Sequence, residues 1–255
     1  MYRCQPFQRP PKVISRHLLR CLHSRCYFPS MKLLEALQRV STVTAFQWGM
    51  VTPAQASQLG VTTLELSRLT SAGLLERVGR GVYRLAGAPA DPHEDLKAAW
   101  LSTDPRRTAS DRLADGAAGV IVAGASAARL YFIGELWTAR HDFVPPARRQ
   151  TQRKGMRFRI RTLSTQDITM VSGLPVMSIE RTISDLLDNL GDLSLVADAL
   201  RDATHVAALD WKHLVQLLSP FAARTGFKPG DGAALLDHLC ATAGIQSPSP
   251  AGFAS

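Results

Sequence analysis

The run GMVTPAQASQLGVTTLELSRLTSAGLLERVGRGVYRL, residues 49–85, constrains the fold more than any other stretch of the chain. Thr52 can cap a short helix that begins with Pro53, where a missing N–H costs nothing. Gly60-Val61 supplies a tight turn between two helices. The next helix is predicted from about Thr63 to Ala72, ending at Gly73, which tolerates positive φ. Two β-branched and aromatic segments then flank Gly79-Arg80-Gly81, the pattern of a hairpin with a cationic tip. Helix, turn, helix, β-wing is the order of a winged helix-turn-helix, and duplex DNA is the first partner this order implies.

The flanking residues extend that reading. Leu33, Leu34, Leu37 and Val40 recur at helical spacing and predict a preceding helix, with Phe46 and Trp48 as apolar anchors beside it. Ala54, Ala56 and Leu59 make the helix after Thr52 small enough to pack closely. In the following helix Leu66, Leu69 and Ala72 form one stripe, continued by Leu74. That leaves Thr62, Thr63, Leu64, Ser67, Arg68 and Ser71 on the opposite side. Base edges and phosphates call for short donors and acceptors, a cation and little acid. Thr63, Ser67 and Arg68 suit that role and Leu64 suits a thymine methyl, whereas Glu65 has to point sideways or accept from a cytosine. On the hairpin, Val78 and Val82 or Tyr83 are expected to pack inward while Arg77, Arg80 and Arg84 project. An Arg between two glycines can enter a minor groove or clamp phosphates. A solvated helix face and a solvated arginine turn are the plain alternatives, and the residues alone leave them open.

At 255 residues with 45% hydrophobic content, the chain can build two modest cores. Its formal charge of +9 is uneven: residues 1–30 hold six Arg or Lys and no acid, and the remainder has 24 basic against 21 acidic residues. That N-terminal arm reads as disordered. It has the composition of a transit peptide or a DNA-contacting arm, or it precedes a natural start at Met31, where the folded pattern begins. Three of four cysteines (Cys4, Cys21, Cys26) lie in it. Cys21, His23 and Cys26 lack the second pair a zinc site needs, so no metal is expected. No apolar run approaches the ~18 residues of a membrane span. Reduced thiols and a cytoplasmic location are the expectation.

The fold class expected is α+β: a winged helix-turn-helix, then a mixed α/β domain with a helical C-terminal part. The boundaries read as arm 1–30, DNA-binding domain 31–88, linker and helix 89–118, α/β domain 119–190, helical part 191–246 and a disordered tail 247–255. Ala86 to Pro92 is a linker by composition, and His93 to Leu101 is helical, with Leu96, Ala99 and Trp100 on one side. Ser126 is expected to cap a helix reaching about Glu135, apolar at Leu130, Phe132 and Ile133. Strands are predicted from Arg140 to Val144, Asp167 to Val171 and Pro175 to Met177, followed by a helix capped by Ser178. Between Ala147 and Leu163 stand seven Arg or Lys and no acid: Arg148, Arg149, Arg153, Lys154, Arg157, Arg159 and Arg161. Period two puts the last three on one strand face, a second basic surface for nucleic acid or for a protein partner, unless it is simply solvated.

No stretch asks for catalysis. Gly124-Ala125-Ser126 has the look of a nucleophile elbow, but helix capping accounts for Ser126. The seven histidines are scattered, Asp142 and Asp167 lack the clustered acid–Lys pattern of a nuclease, and no Gly-rich phosphate loop occurs. No cofactor, no metal and no enzymatic activity are expected.

Four motifs in order, ERVGRGVYRL (76–85), GASAARL (124–130), VPPARR (144–149) and GLPVMSIERTISDL (173–186), resemble the AbiEi-type antitoxins of bacterial type IV abortive-infection systems. The resemblance spans roughly residues 31–188. It implies a winged helix that represses its own operon and an α/β domain that counteracts a nucleotidyltransferase-like toxin. The family's DNA-binding parts fall on residues 62–71 and 77–84. In the GLPV motif Arg181, Thr182 and Asp185 match and Met177 replaces the commoner Thr. Arg181 and Asp185 are expected to form an i,i+4 ion pair. Some relatives carry a nuclease-like module, of which residues 190–255 show no acid–Lys signature. The alternative function is a stand-alone winged-helix regulator without a toxin partner.

Overall fold

A computed structural model describes residues 31–136 and 139–247; the arm 1–30 with its cysteines, and the tail from 248, lie outside the described residues. The first unit has three helices, α1 (Met31–Thr44), α2 (Pro53–Gln58) and α3 (Thr63–Ser71), with a hairpin after them in the expected order. The hairpin strands β2 (Leu75–Gly79) and β3 (Val82–Leu85) are joined by β1 (Met50–Val51), a strand the sequence pattern did not predict, in the order β1-β3-β2. Both helix starts are capping boxes: Thr52 accepts from Gln55 N while Gln55 reaches back, and Thr62 does the same with Glu65.

This small sheet separates two cores. Leu33, Ala36, Val40, Val51, Ala56, Val61, Leu66, Leu69 and Leu75 form the core beneath the helices. Met50 and Val82 face the other way, into the large core of the body, because successive strand residues point to opposite faces. They meet α4 (Glu94–Leu101), where Trp100 is fully buried and donates from Nε1 to Val120 O at 2.7 Å. The segment 86–92 joins units that are packed together. Gln47 and Gln55, both buried, bond each other at 2.8 Å; Gln55 Nε2 donates to Arg107 O at 2.8 Å, and Gln47 Oε1 accepts from Ala109 N at 2.7 Å. Trp48, edge-on to Trp100 at 6.1 Å, stands over Gly173 on the far side of this junction.

The body holds a five-stranded mixed sheet, β6 (Met156–Phe158), β5 (His141–Val144), β4 (Ile121–Val122), β8 (Leu174–Met177) and β7 (Ile168–Val171), in that spatial order. Helices α6 (Gly124–Tyr131) and α7 (Ile179–Leu190) follow β4 and β8. A short α5 (Ala109–Leu113) precedes them, and α8 (Leu193–Val206), α9 (Trp211–Leu218) and α10 (Gly232–Ala243) complete the helical C-terminal part. A mixed α and β fold with a helical C-terminal end is therefore present.

Several local expectations are corrected. Phe46 is 82% exposed and anchors nothing; Phe132, the left-handed residue (φ 57°) that ends α6, is 76% exposed. Leu34 also faces water. Ser126 does not cap α6, which starts after Ala123; it sits inside the helix, buried, and its Oγ accepts from Asp142 N at 3.0 Å. Ser178 does cap α7, accepting from Arg181 N. The Arg181–Asp185 pair is absent: Asp185 is taken by Arg161 Nε at 2.6 Å.

Candidate nucleic-acid interface

The outward side of α3 is built by what its inward side buries. Leu66 and Leu69 are fully enclosed, and their 3.6-residue stripe turns Thr62, Thr63, Leu64, Ser67, Arg68 and Ser71 outward, all exposed. Leu64, 60% exposed, has no core role to explain it. Glu65 neither points sideways nor waits for a base. Its Oε2 accepts from Thr62 N and Thr62 Oγ1, each at 2.8 Å. The Thr62 backbone bond, then its hydroxyl, holds the Glu65 carboxyl below its ordinary range, with Arg39 and Arg68 adding to the effect. The face therefore shows short hydroxyls, one leucine and a cation, while its one acid is folded back onto the helix start. Arg39 of α1, exposed and leaning over Gly60, is a cation at this edge that the sequence reading missed. Its place beside Glu65 comes from the tertiary packing of α1 on α3.

The hairpin turns at Arg80-Gly81, with Gly81 at φ 72°, a conformation open to glycine without strain. Nothing lies within 4 Å of a Cβ built there and Arg80 is exposed, whereas a Cβ at the neighbouring Gly79 would lie 3.4 Å from Ala98 Cβ on α4. Arg77 is exposed as well, but Arg84 does not project with them. Register pairs Arg77 with Tyr83 and Glu76 with Arg84 across the strands, which puts Arg77 and Arg84 on opposite faces. Arg84 faces α4 and is clasped by Glu76 (2.7 Å) and Glu94 (2.5 Å). The expected trio of wing arginines is thus a pair, and Arg84 is a tie between hairpin and body.

The second basic surface is corrected more deeply. Arg157, Arg159 and Arg161 do not make one strand face, because β6 ends at Phe158, and carboxylates hold all three. Arg157 holds Asp142 at 2.6 and 2.8 Å, Arg159 reaches the same carboxylate at 3.1 Å, and Arg161 spans Asp185 and Asp188 at 2.6 Å each. Asp142 and Asp185 have no exposed side-chain surface. The bond to Asp142, ahead of any other effect, raises the Arg157 guanidinium further. Gly124 lets both carboxylates close in, since a Cβ there would lie 2.7 Å from Asp142 Oδ2. Arg149 donates to Thr103 O at 2.6 Å and Arg153 to Ser102 Oγ at 2.7 Å. Of the seven cations, Arg148, Arg149 and Lys154 are exposed and in no ion pair among the described residues, Arg149 being tied only to the Thr103 carbonyl and the Phe158 ring. Asp167 is engaged elsewhere, accepting from Ser164 and paired with His213 at 3.1 Å. Among the described residues no three His, Cys, Asp or Glu side chains converge as metal ligands.

The α3 face and the Arg80 tip are thus two separately exposed features of the N-terminal unit, the tip lying beside α4 and the loop before β6. Residues 38–86 match the family described as transcriptional regulator, AbiEi antitoxin. That match supports the resemblance to an AbiEi-type antitoxin and falls on the segment that carries α3 and the hairpin. No curated protein matches the chain. The crystal structure of the RV2827C protein from Mycobacterium tuberculosis is similar at 18% identity over 84% of this chain and 83% of that one, with a TM-score of 0.46. Likeness at that level carries no inference about function. No helix among the described residues is long and apolar enough to cross a membrane.

Proposed function

We propose that this protein is a DNA-binding transcriptional repressor and the antitoxin of a type IV toxin–antitoxin system, acting without catalysis. Residues 31–85 are the winged helix-turn-helix that holds operator DNA and autoregulates the operon. The body from about residue 94 counteracts a nucleotidyltransferase-like toxin. The observation that carries the DNA half is the exposed α3 face of Thr62, Thr63, Leu64, Ser67, Arg68 and Ser71, in one unit with the exposed Arg80 of the hairpin. Helix α3 enters the major groove with Thr63, Leu64 and Ser67 toward base edges, and Arg68, Arg77 and Arg80 neutralise backbone phosphates. The toxin half rests on the family resemblance.

The test is binding of the purified chain to duplex from upstream of its own reading frame, against a scrambled duplex of equal length. Preference for the upstream duplex, reduced by Ser67→Ala or Arg68→Ala, is expected. Equal binding to both would remove the repressor reading. Co-expression with the toxin-like product of the neighbouring frame tests the antitoxin half through rescue of growth.

A further inference from the structure

Beside the hairpin tip lies an open cleft of about 640 Å³, of whose lining the DNA-binding reading uses Arg80 alone. One wall is the hairpin, with Val78 and Arg80; the floor is α4, with Ala98 and Ala99; the far wall is the loop before β6, with Arg153 and Lys154. The volume lies in the range of small-molecule sites, and such sites combine an apolar lining with a few placed polar groups. Here Val78, Ala98, Ala99 and Met156 supply the apolar part. The one carboxylate in the lining, Asp95, is already matched by Arg129 at 2.5 Å, with His141 at 3.7 Å. Burial holds His141 below its ordinary pKa, so it adds a neutral hydrogen-bonding ring to the rim. Arg80 and Lys154, exposed and in no ion pair in the structure, therefore give the cleft a net positive rim.

We infer that the cleft binds a small anionic ligand with a flat or apolar body, a nucleoside phosphate by class, and that this ligand competes with DNA. The body lies on the Ala98–Ala99 side of α4 while the phosphates meet Arg80, Arg153 and Lys154. Arg80 belongs both to this rim and to the tip assigned to a DNA phosphate. A guanidinium donating to the ligand is lost to the duplex, so each ligand weakens the other by the same factor. Only this coupling, and not the site itself, rests on the DNA-binding reading.

The experiment is isothermal titration of the full chain with ATP, with adenosine and inorganic phosphate as separate arms, alone and with saturating duplex. One ATP per chain is expected, bound more tightly than either fragment. Ala99→Trp fills the floor and should abolish binding. Lys154→Ala, at an exposed position that leaves the fold alone, should weaken it about tenfold, as for loss of one charge-assisted bond. Saturating ATP should weaken duplex binding several-fold, with the reciprocal loss in ATP affinity. Absence of ATP binding, or equal binding by Ala99→Trp and wild type, would overturn the site. A duplex affinity indifferent to bound ATP would overturn the coupling. Weaker duplex binding by Lys154→Ala without any ATP binding would make the cleft part of the DNA path and sink the small-ligand assignment. Should the chain bind no duplex at all, the repressor reading fails and the ATP isotherm alone decides the site.

Discussion

Arg80→Ala is the most direct probe of the hairpin's part in DNA binding. Arg80 stands exposed at a tip with open space around Gly81, so its removal costs no packing. Each phosphate neutralised contributes about 0.9 to the slope of log K against log salt. With Arg68, Arg77 and Arg80 each meeting one phosphate, one chain should show a slope of roughly −2.7, and Arg80→Ala about −1.8. Between about 50 and 200 mM salt, that difference amounts to about a 3.5-fold smaller loss of affinity in the variant. Fluorescence anisotropy with a labelled upstream duplex across this range reads both slopes. Arg84→Ala is the internal control. Its guanidinium is held by Glu76 and Glu94, so its loss should lower the melting temperature and leave the slope alone. Equal slopes for Arg80→Ala and wild type would refute the reasoning, and so would a slope for Arg84→Ala as shallow as that of Arg80→Ala.

Burial, ahead of nearby charges, holds His93 and His141 below their ordinary 6.5, so the unfolded chain takes up protons that the folded chain refuses. Their contribution is complete above about pH 6.5 and fades as pH falls through the lowered folded values. Melting temperature should drop between pH 7 and pH 5.5, before carboxylates such as Asp95 (ordinarily 3.8) begin to protonate, and His93→Gln should flatten that slope. A flat profile in wild type would count against both histidines. Gly173→Ala should destabilise: φ is +80° and its Cβ would meet Trp48 Nε1 at 3.0 Å. A left-handed alanine costs roughly 1–2 kcal/mol, at about 2–4 °C per kcal/mol for a chain of this size. An unchanged melting curve would mean that the β7–β8 turn does not bear on Trp48 as described. Thr62→Ala removes the α3 cap and should cost about 1 kcal/mol, whereas Thr63→Ala should leave thermal stability alone and affect DNA binding only; chemical denaturation separates the two.

How much of this was legible in the sequence depended on how local the deciding contact was. The α3 face could be read because Leu66 and Leu69 fix the buried stripe by spacing alone. The hairpin tip could be read because Gly79-Arg80-Gly81 specifies its own turn. The strand-face error at Arg84 came from ignoring cross-strand register, which pairs it with Glu76 and not with solvent. Arg157, Arg159 and Arg161 misled because no acid lies near them in the chain. Their partners, Asp142 on β5 and Asp185 and Asp188 on α7, arrive only through sheet and helix packing. The Thr-x-x-Glu and Thr-x-x-Gln boxes were present as pattern, and reading them would have placed Glu65 correctly. Nothing in the local pattern around β1 marks it as a strand, since two residues are too short for an alternation to show.

The position of Met50 and Val51, neighbours committed to different cores, has a consequence for how the molecule comes apart. A fragment cut after Leu85 would leave Met50 and Val82 bare to water on the side that α4 covers in the whole chain. The N-terminal unit is thus riveted to the body, and the two should melt as one cooperative block, with no hinge between them to yield first.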